Sequence, residues 1–307
     1  MTETTKHPPT NLSRYGWLSI ATAVVTIGLK FIAYLLSGSV GLLSDALESI
    51  VNLVTAVTAL CLITIARRPP DEDHAYGHAK AEYFASMVTG GFITVASGSI
   101  LYTAVLRLLN PEPLEQVGLG VLVSLGAAVV NLVVSRILIR AGRQHRSPAL
   151  EAEGKHLQTD VITSGGVAVG LGLVWLTGWV ALDSVIALIV GAQIGVMGLR
   201  LLYQASQGLM DSALPAEEQA QIHTVLQQYE PQGVTYHALR TRQAGQRRFV
   251  SVHLEMPGDW TVQKGHLVAD QIEADLRQTL PDLATFTHLE PKGDPLSHAD
   301  RELWPLA

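Results

Sequence analysis

The sequence predicts a membrane all-α six-helix bundle followed by a cytosolic α+β domain of order αββαβ. Three observations carry this reading. The charges are unevenly spread: 26 of the 48 charged side chains lie in residues 1–210 and 22 in residues 211–307. The first two thirds are therefore charge-depleted, while the last third is close to the ~25% usual for globular domains. Six stretches before residue 210 approach the ~20 mostly apolar residues that a membrane-spanning helix needs. After residue 210 the long apolar runs stop, and short alternating runs stand between helical ones. The net charge of −6 excludes a nucleic-acid binder held by bulk positive charge. One cysteine, Cys61, excludes a disulfide framework and any Cys-based zinc cluster. That leaves 11 histidines as the metal-capable side chains of interest.

The apolar stretches run over about 15–36, 41–66, 81–109, 117–140, 157–177 and 179–207. The first is too long for a cleaved signal peptide and lacks a small-residue cleavage site. The fifth is preceded by a polar run, 151–160. Orientation follows from Lys and Arg in short loops. Lys6 and Arg14 lie in the N-terminal tail, Arg67, Arg68 and Lys80 after the second span, and Arg140, Arg143, Arg146 and Lys155 after the fourth. The alternate loops near 37–40, 110–116 and 178 have no Lys or Arg, which places both termini in the cytoplasm. Arg107, near the outer end of the third span, can snorkel. The expected organisation is a cytosolic tail (1–14), a six-span domain (15–210), a cytosolic metal-binding or regulatory domain (211–292) and a second tail (293–307).

In the cytosolic domain, Pro215 with Glu217 and Glu218 marks a helix start. Residues 233–243 and 247–256 alternate as strands around Ala244-Gly245-Gln246, read as a three-residue hairpin loop. Residues 262–279 have helical periodicity, with Leu267, Ile272 and Leu276 on the apolar side, and 283–290 form a last strand.

Ionisable groups inside a bilayer are costly and mark functional sites. The second span carries Asp45, Glu48 and Asn52, with Ser44, Glu48, Asn52 and Thr55 on one helical stripe. The fifth opens on His156 and Asp160, also one turn apart. Two helices that each offer a pair at i, i+4 can close four nitrogen and oxygen donors around a divalent transition metal. The alternative is helix–helix hydrogen bonding, the preferred reading for an isolated Ser44 or Asn52 and for Lys30, Arg136 and Asp183. Asp45 lies off the stripe and is read as supporting the ligands; Cys61 is read as a small apolar filler. A second cluster, Asp71, His74 and His78, follows the second span, where a solvated loop is the competing reading. In the cytosolic domain His237 is expected opposite His253, and His288 shares a strand face with Glu290. His266 stands near the start of a helix, and scattered surface histidines are the alternative, the one adopted for His223 and His298.

Four segments together resemble the cation diffusion facilitator family of proton-coupled divalent metal exporters: Gly38-Ser-Val-Gly-Leu-Leu-Ser-Asp-Ala-Leu-Glu-Ser-Ile-Val-Asn52, His74-Ala-Tyr-Gly-His-Ala-Lys-Ala-Glu82, His156-x3-Asp160, and Arg240-Thr-Arg-Gln with His253-Leu-Glu-Met256. The resemblance spans about residues 15–292. It implies a homodimer of six-span protomers, each with a metallochaperone-like cytosolic domain, in a bacterial inner membrane. It also implies a transport site at Glu48, Asn52, His156 and Asp160. The pair on the second span departs from the family's usual His/Asp-x3-Asp. Asp71, His74 and His78 align with a second site of some members, and His237, His253, His266, His288 and Glu290 with cytosolic metal sites. The implied cargo and regulator is a divalent ion, Zn2+ or Fe2+, Mn2+, Co2+ or Ni2+, with protons as counter-ion.

No Walker A pattern is present, so a gradient rather than ATP hydrolysis is the expected energy source. Metal ligands must shed protons to bind, which makes metal-for-proton exchange natural. No His-Glu-x-x-His or Gly-x-Ser-x-Gly stands in the chain, against an intramembrane protease and an enzyme reading generally. A membrane-anchored metal sensor, or another non-exporting metal-binding protein, is the alternative function.

Overall fold

The structure, a computed structural model, describes residues 12–37, 40–110, 118–179 and 181–295. Within these, some side chains lie outside the described set, among them Asp45, Glu48, Asn52 and Asp183. Both tails fall largely or partly outside it as well. The chain forms two compact units, Met1–Ser206 and Gln207–Ala307.

The first unit is helical: α1 (Ser13–Ser37), α2 (Val40–Ala66), α3 (Ala81–Leu109), α4 (Gly118–His145), α5 (Pro148–Thr177) and α6 (Ala181–Leu209). At 1.5 Å per residue, helices of this length reach roughly 37–45 Å, beyond the ~30 Å hydrocarbon core. Among the described residues, four segments are long and apolar enough to cross a membrane: Ser13–Ile32, Ala81–Leu109, Leu125–His145 and Ser184–Leu209. A shorter apolar segment, Leu53–Ala66, lies in α2. Among the described residues, polar side chains are held inside the bundle beside buried apolar ones, while large apolar side chains also cover its outside. Trp17, Phe31, Val95, Tyr102 and Leu122 are exposed, whereas Ser19, Thr55, Ser97, Asn131, Glu153 and His156 are buried. This distribution suits a lipid solvent, in which polar groups are held on inward faces.

α5 is the central helix, packing against α1, α2, α3 and α4. It starts nine residues before the apolar run expected at 157. The polar residues 151–155, expected in the loop ahead of a helix opening at His156, are thus helical as well. Ser147 caps the helix, its Oγ accepting from Leu150 N–H at 3.4 Å and its carbonyl from Glu151 N–H at 3.1 Å, with Pro148 at the first helical position. Lys155 pairs with Glu151 one turn back at 3.0 Å. α4 and α5 meet closely because Gly142 and Gly154 have no side chain. A Cβ would lie 2.6 Å from Glu151 N in the first case and 2.7 Å from Ile139 Cγ1 in the second. Buried Glu82, in the first turn of α3, accepts a hydrogen bond from the Ser147 hydroxyl and ties α3 to the start of α5.

The second unit contains α7 (Ala216–Gln227), a 3-10 turn (Glu230–Gln232), β1 (Thr235–Ala244), β2 (Arg247–Met256), α8 (Val262–Thr279) and β3 (Leu283–Pro291). The sheet order is β1-β2-β3; β1 and β2 are antiparallel, β2 and β3 parallel with α8 as the crossover. This is the expected αββαβ order. Val250, Val252, Leu254 and Met256 alternate on one face of β2 and pack on Ile272 and Leu276 of α8. Leu267 is not on that side. It is 62% exposed, because it sits five residues from Ile272, whereas Ala269 at i−3 and Leu276 at i+4 share its stripe.

The hairpin loop has two residues, Gly245 and Gln246, not three, because Ala244 pairs with Arg247. His237 nevertheless stands opposite His253. Between these pairs β1 holds one extra residue: His237↔His253 and Arg240↔Ser251 enclose Ala238 and Leu239 against Val252 alone. This β-bulge places Ala238 in the left-handed region, at φ 47°.

Candidate metal centres

In the membrane unit, α5 presents His156 and Asp160 on one face, about 6 Å apart along the axis. His156 is buried and Asp160 partly buried. Asn131 of α4 donates its amide to Asp160 Oδ2 at 3.3 Å. Its own Oδ1 is buried and has no hydrogen-bond partner among the described residues. The same α5 face continues back to Glu153, whose Oε1 accepts from Ser19 Oγ of α1 at 2.7 Å. Neither Asn131 nor Glu153 was singled out from sequence. Glu153 stands at i−3 from His156, and opening the helix only at His156 conceals that spacing. The expected partners Glu48 and Asn52 belong to α2, which packs on α5, but their side chains lie outside the described residues.

The loop between α2 and α3 brings Asp71, His74 and His78 together. His74 Nδ1 lies 3.3 Å from Asp71 Oδ1, and His78 Nε2 lies 3.3 Å from Asp71 Oδ2. The two rings are 4.4 Å apart. Three donor atoms, one from each residue, fall within 4.8 Å of one another. Ligands bound at about 2.0–2.2 Å to a tetrahedral ion stand roughly 3.3–3.6 Å apart, so small movements would close this set. The backbone N–H of His74 donates to Asp71 at 2.7 Å and is the main cause holding that carboxyl below its usual range. Asp71 therefore offers a carboxylate without needing a cation beside it.

The sheet of the second unit aligns three imidazoles across three strands, His237, His253 and His288. Glu290 lies beneath the row. Its Oε2 is 2.7 Å from His237 Nε2, and its Oε1 is 2.9 Å from His253 Nδ1. These three residues also offer donor atoms within 4.8 Å of one another. His288 stands at the rim, 3.6 Å from Glu290 and 66% exposed. His266 is apart from the cluster, exposed at the start of α8 and 3.5 Å from Asp270. His223 contacts the Tyr236 hydroxyl at 2.8 Å, which fits a structural role. A site of one carboxylate and two or three imidazoles suits a divalent transition ion.

Residues 16–210 match the family described as cation efflux transmembrane domain, and residues 214–292 match the cation efflux protein cytoplasmic domain. The chain belongs to the cation efflux, or cation diffusion facilitator, family. It is 47% identical over 283 residues to the uncharacterized transporter sll1263 of Synechocystis sp., covering 92% of this chain and 91% of that one. It is 35% identical over 280 residues to the cation-efflux pump FieF of Klebsiella pneumoniae, covering 91% and 93%. The Escherichia coli FieF is 32% identical over 281 residues, again covering 91% and 93%. A solved chain of CzrB in a Zn form is 38% identical, covers 27% of this chain and 96% of its own, and has a TM-score of 0.26. Membership makes this an integral membrane protein of a cation efflux transporter family, which is not a family of enzymes.

Proposed function

We propose that the protein exports a divalent transition-metal cation in exchange for protons, through a site between α2 and α5 made of Glu48, Asn52, His156 and Asp160. The observation that carries this reading is the buried, polar face of α5. It holds an imidazole and a carboxylate one turn apart inside a helical unit whose family exports cations. An ionisable pair kept away from water in the middle of a bundle is costly unless it binds something. Metal entry expels protons from its ligands, and their return on the other side resets the site. The relatives named cation-efflux pumps support the direction, out of the cytoplasm.

Asp71, His74 and His78 form a second site in the cytosolic loop, and His237, His253, His288 and Glu290 a regulatory one, with exposed His266 as a further candidate ligand. The functional unit is a homodimer with both termini in the cytoplasm of a bacterial cell, as the Lys and Arg distribution and the bacterial relatives favour. The working divisions are 1–14, 15–210, 211–292 and 293–307. Zn2+ is the first candidate cargo, and Fe2+, Mn2+, Co2+ and Ni2+ are the others, because Glu48 and Asn52 supply harder donors than a His/Asp pair would. The test is metal-driven proton movement in sealed vesicles holding the full-length protein. Proton efflux with each candidate metal, lost in Asp160→Ala, is the expected result. Metal binding without flux would convert the reading to that of a sensor.

A further inference from the structure

The transport site as read from sequence stops at His156, yet the α5 face on which it lies continues one turn further back. Glu153 is 1% exposed, among the most buried charged residues described. Its Oε1 accepts from Ser19 of α1, Thr55 of α2 and His156 stand close enough to interact with the carboxylate, and Oε2 is buried without a hydrogen bond of good geometry among the described residues. Asn131, 3% exposed, shares this state: its amide serves Asp160 and its Oδ1 is likewise unpartnered. A buried carboxylate whose second oxygen lacks a well-formed hydrogen bond costs several kcal/mol unless a cation or proton visits it. Packing does not require a carboxylate here, because a Gln of the same shape would keep the Ser19 bond.

We propose that Glu153 is a cation-binding station on the transport path, taking a hydrated divalent cation through Oε2 one helical turn before the His156/Asp160 pair. The inference rests on the transport reading above and adds a residue to it. At 1.5 Å per residue Glu153 lies about 4.5 Å along α5 from His156 and about 10.5 Å from Asp160. That is too far to share one ion with Asp160, and a suitable spacing for handing an ion along. It stands toward the start of α5, the end that the basic α4–α5 loop assigns to the cytoplasm. The ion therefore meets Glu153 first. Ser19 closes the station by occupying the other oxygen from a neighbouring helix.

The experiment measures Zn2+ flux against Zn2+ concentration with the full-length protein in sealed vesicles. Glu153→Gln keeps shape and the Ser19 bond but removes the charge. It should raise the half-saturating Zn2+ by at least about tenfold, the lower range for losing a group that supports a metal site, with a smaller fall in maximal flux. Ser19→Ala removes only the competitor for the carboxylate and should leave half-saturation unchanged or lower. Unchanged half-saturation in Glu153→Gln overturns the proposal. So does an equal shift in both variants, which would make the pair a packing strut. If the Gln variant does not fold, Glu153→Asp carries the test. A raised half-saturation, from a carboxylate drawn back by one methylene, supports the station, and an unchanged half-saturation in a folded Asp variant overturns it. Asp160→Ala in parallel separates the two readings. Normal flux there removes the transport site itself, whereas its loss beside a normal Glu153→Gln removes Glu153 alone.

Discussion

Ala238 decides whether the sheet can assemble its histidines, and its substitution tests that dependence directly. A two-residue loop pairs Ala244 with Arg247, and an unbroken ladder from there would set Ala238 opposite His253 and His237 opposite Leu254. Leu254 is in the core. A one-residue shift sends every side chain to the other face, so His237 would be driven toward the core and away from Glu290. The bulge absorbs the extra residue and restores the pairing. It does so with a non-glycine residue at φ 47°, a conformation that costs an L-residue roughly 1–2 kcal/mol. Ala238→Gly relieves that strain but frees the unfolded chain by about 0.4–1 kcal/mol. The net change in stability should be within about 1 kcal/mol, with metal binding intact. Ala238→Val puts a β-branched side chain where it is a genuine outlier. Its two outcomes are retention of the bulge at a further cost of roughly 1–3 kcal/mol, or loss of the bulge with an imidazole buried unpaired at about 1–3 kcal/mol.

The assay is calorimetric Zn2+ titration of full-length protein in detergent, with His237→Ala as reference and thermal unfolding alongside. Ala238→Gly should match the unsubstituted protein. Ala238→Val should either melt earlier or lose the increment of bound Zn2+ that His237→Ala loses. A Val variant with both an unaltered titration and an unaltered melt would refute the reasoning, because the bulge would then have no bearing on the cluster.

Three further outcomes are expected. His156→Ala and Asp160→Ala should each abolish metal-for-proton exchange in vesicles while circular dichroism stays unchanged; exchange surviving both would dismiss the site. Asn52→Asp, which restores a carboxylate at a position where the family usually has one, should raise Zn2+ or Cd2+ transport relative to the other metals, read from flux over a metal panel; an unchanged profile would remove Asn52 from the ligands. Burial and the Asp275 carboxylate, 2.5 Å from its hydroxyl, push the Tyr229 phenol above its usual range. A raised folded-state value contributes stability that is complete below the unfolded value near ~10 and is lost as pH rises through the folded one. Alkaline unfolding of the second unit should therefore be less steep above pH ~10 in Tyr229→Phe than in the unsubstituted chain.

The sequence was most legible where one physical rule acts alone. The depletion of charge before residue 211 exposes the helical unit, and the αββαβ order follows from runs whose period is unmistakable. The Asp71, His74 and His78 cluster needs only a short loop, since residues so close in sequence meet in most compact turns. Legibility fails where two rules compete. Residues 151–160 are too polar for an apolar-run criterion, yet a Ser147 cap, Pro148 and the Glu151–Lys155 pair make them helical. A helix opened at His156 leaves Glu153 outside it. In β1, strict alternation breaks at Ala238, and the visible clue is the three-residue spacing of Tyr236 and Leu239, both packed on the core. Period-two reasoning cannot place both on one face. A bulge can, and it carries His237 to the opposite face as a consequence. The expected three-residue loop reached the His237–His253 pairing only because one residue too many in the loop equals one residue too few in the strand. The pairing therefore depends on Ala238 rather than on the turn, and a substitution at Gly245 that left the bulge in place would leave His237 facing Glu290.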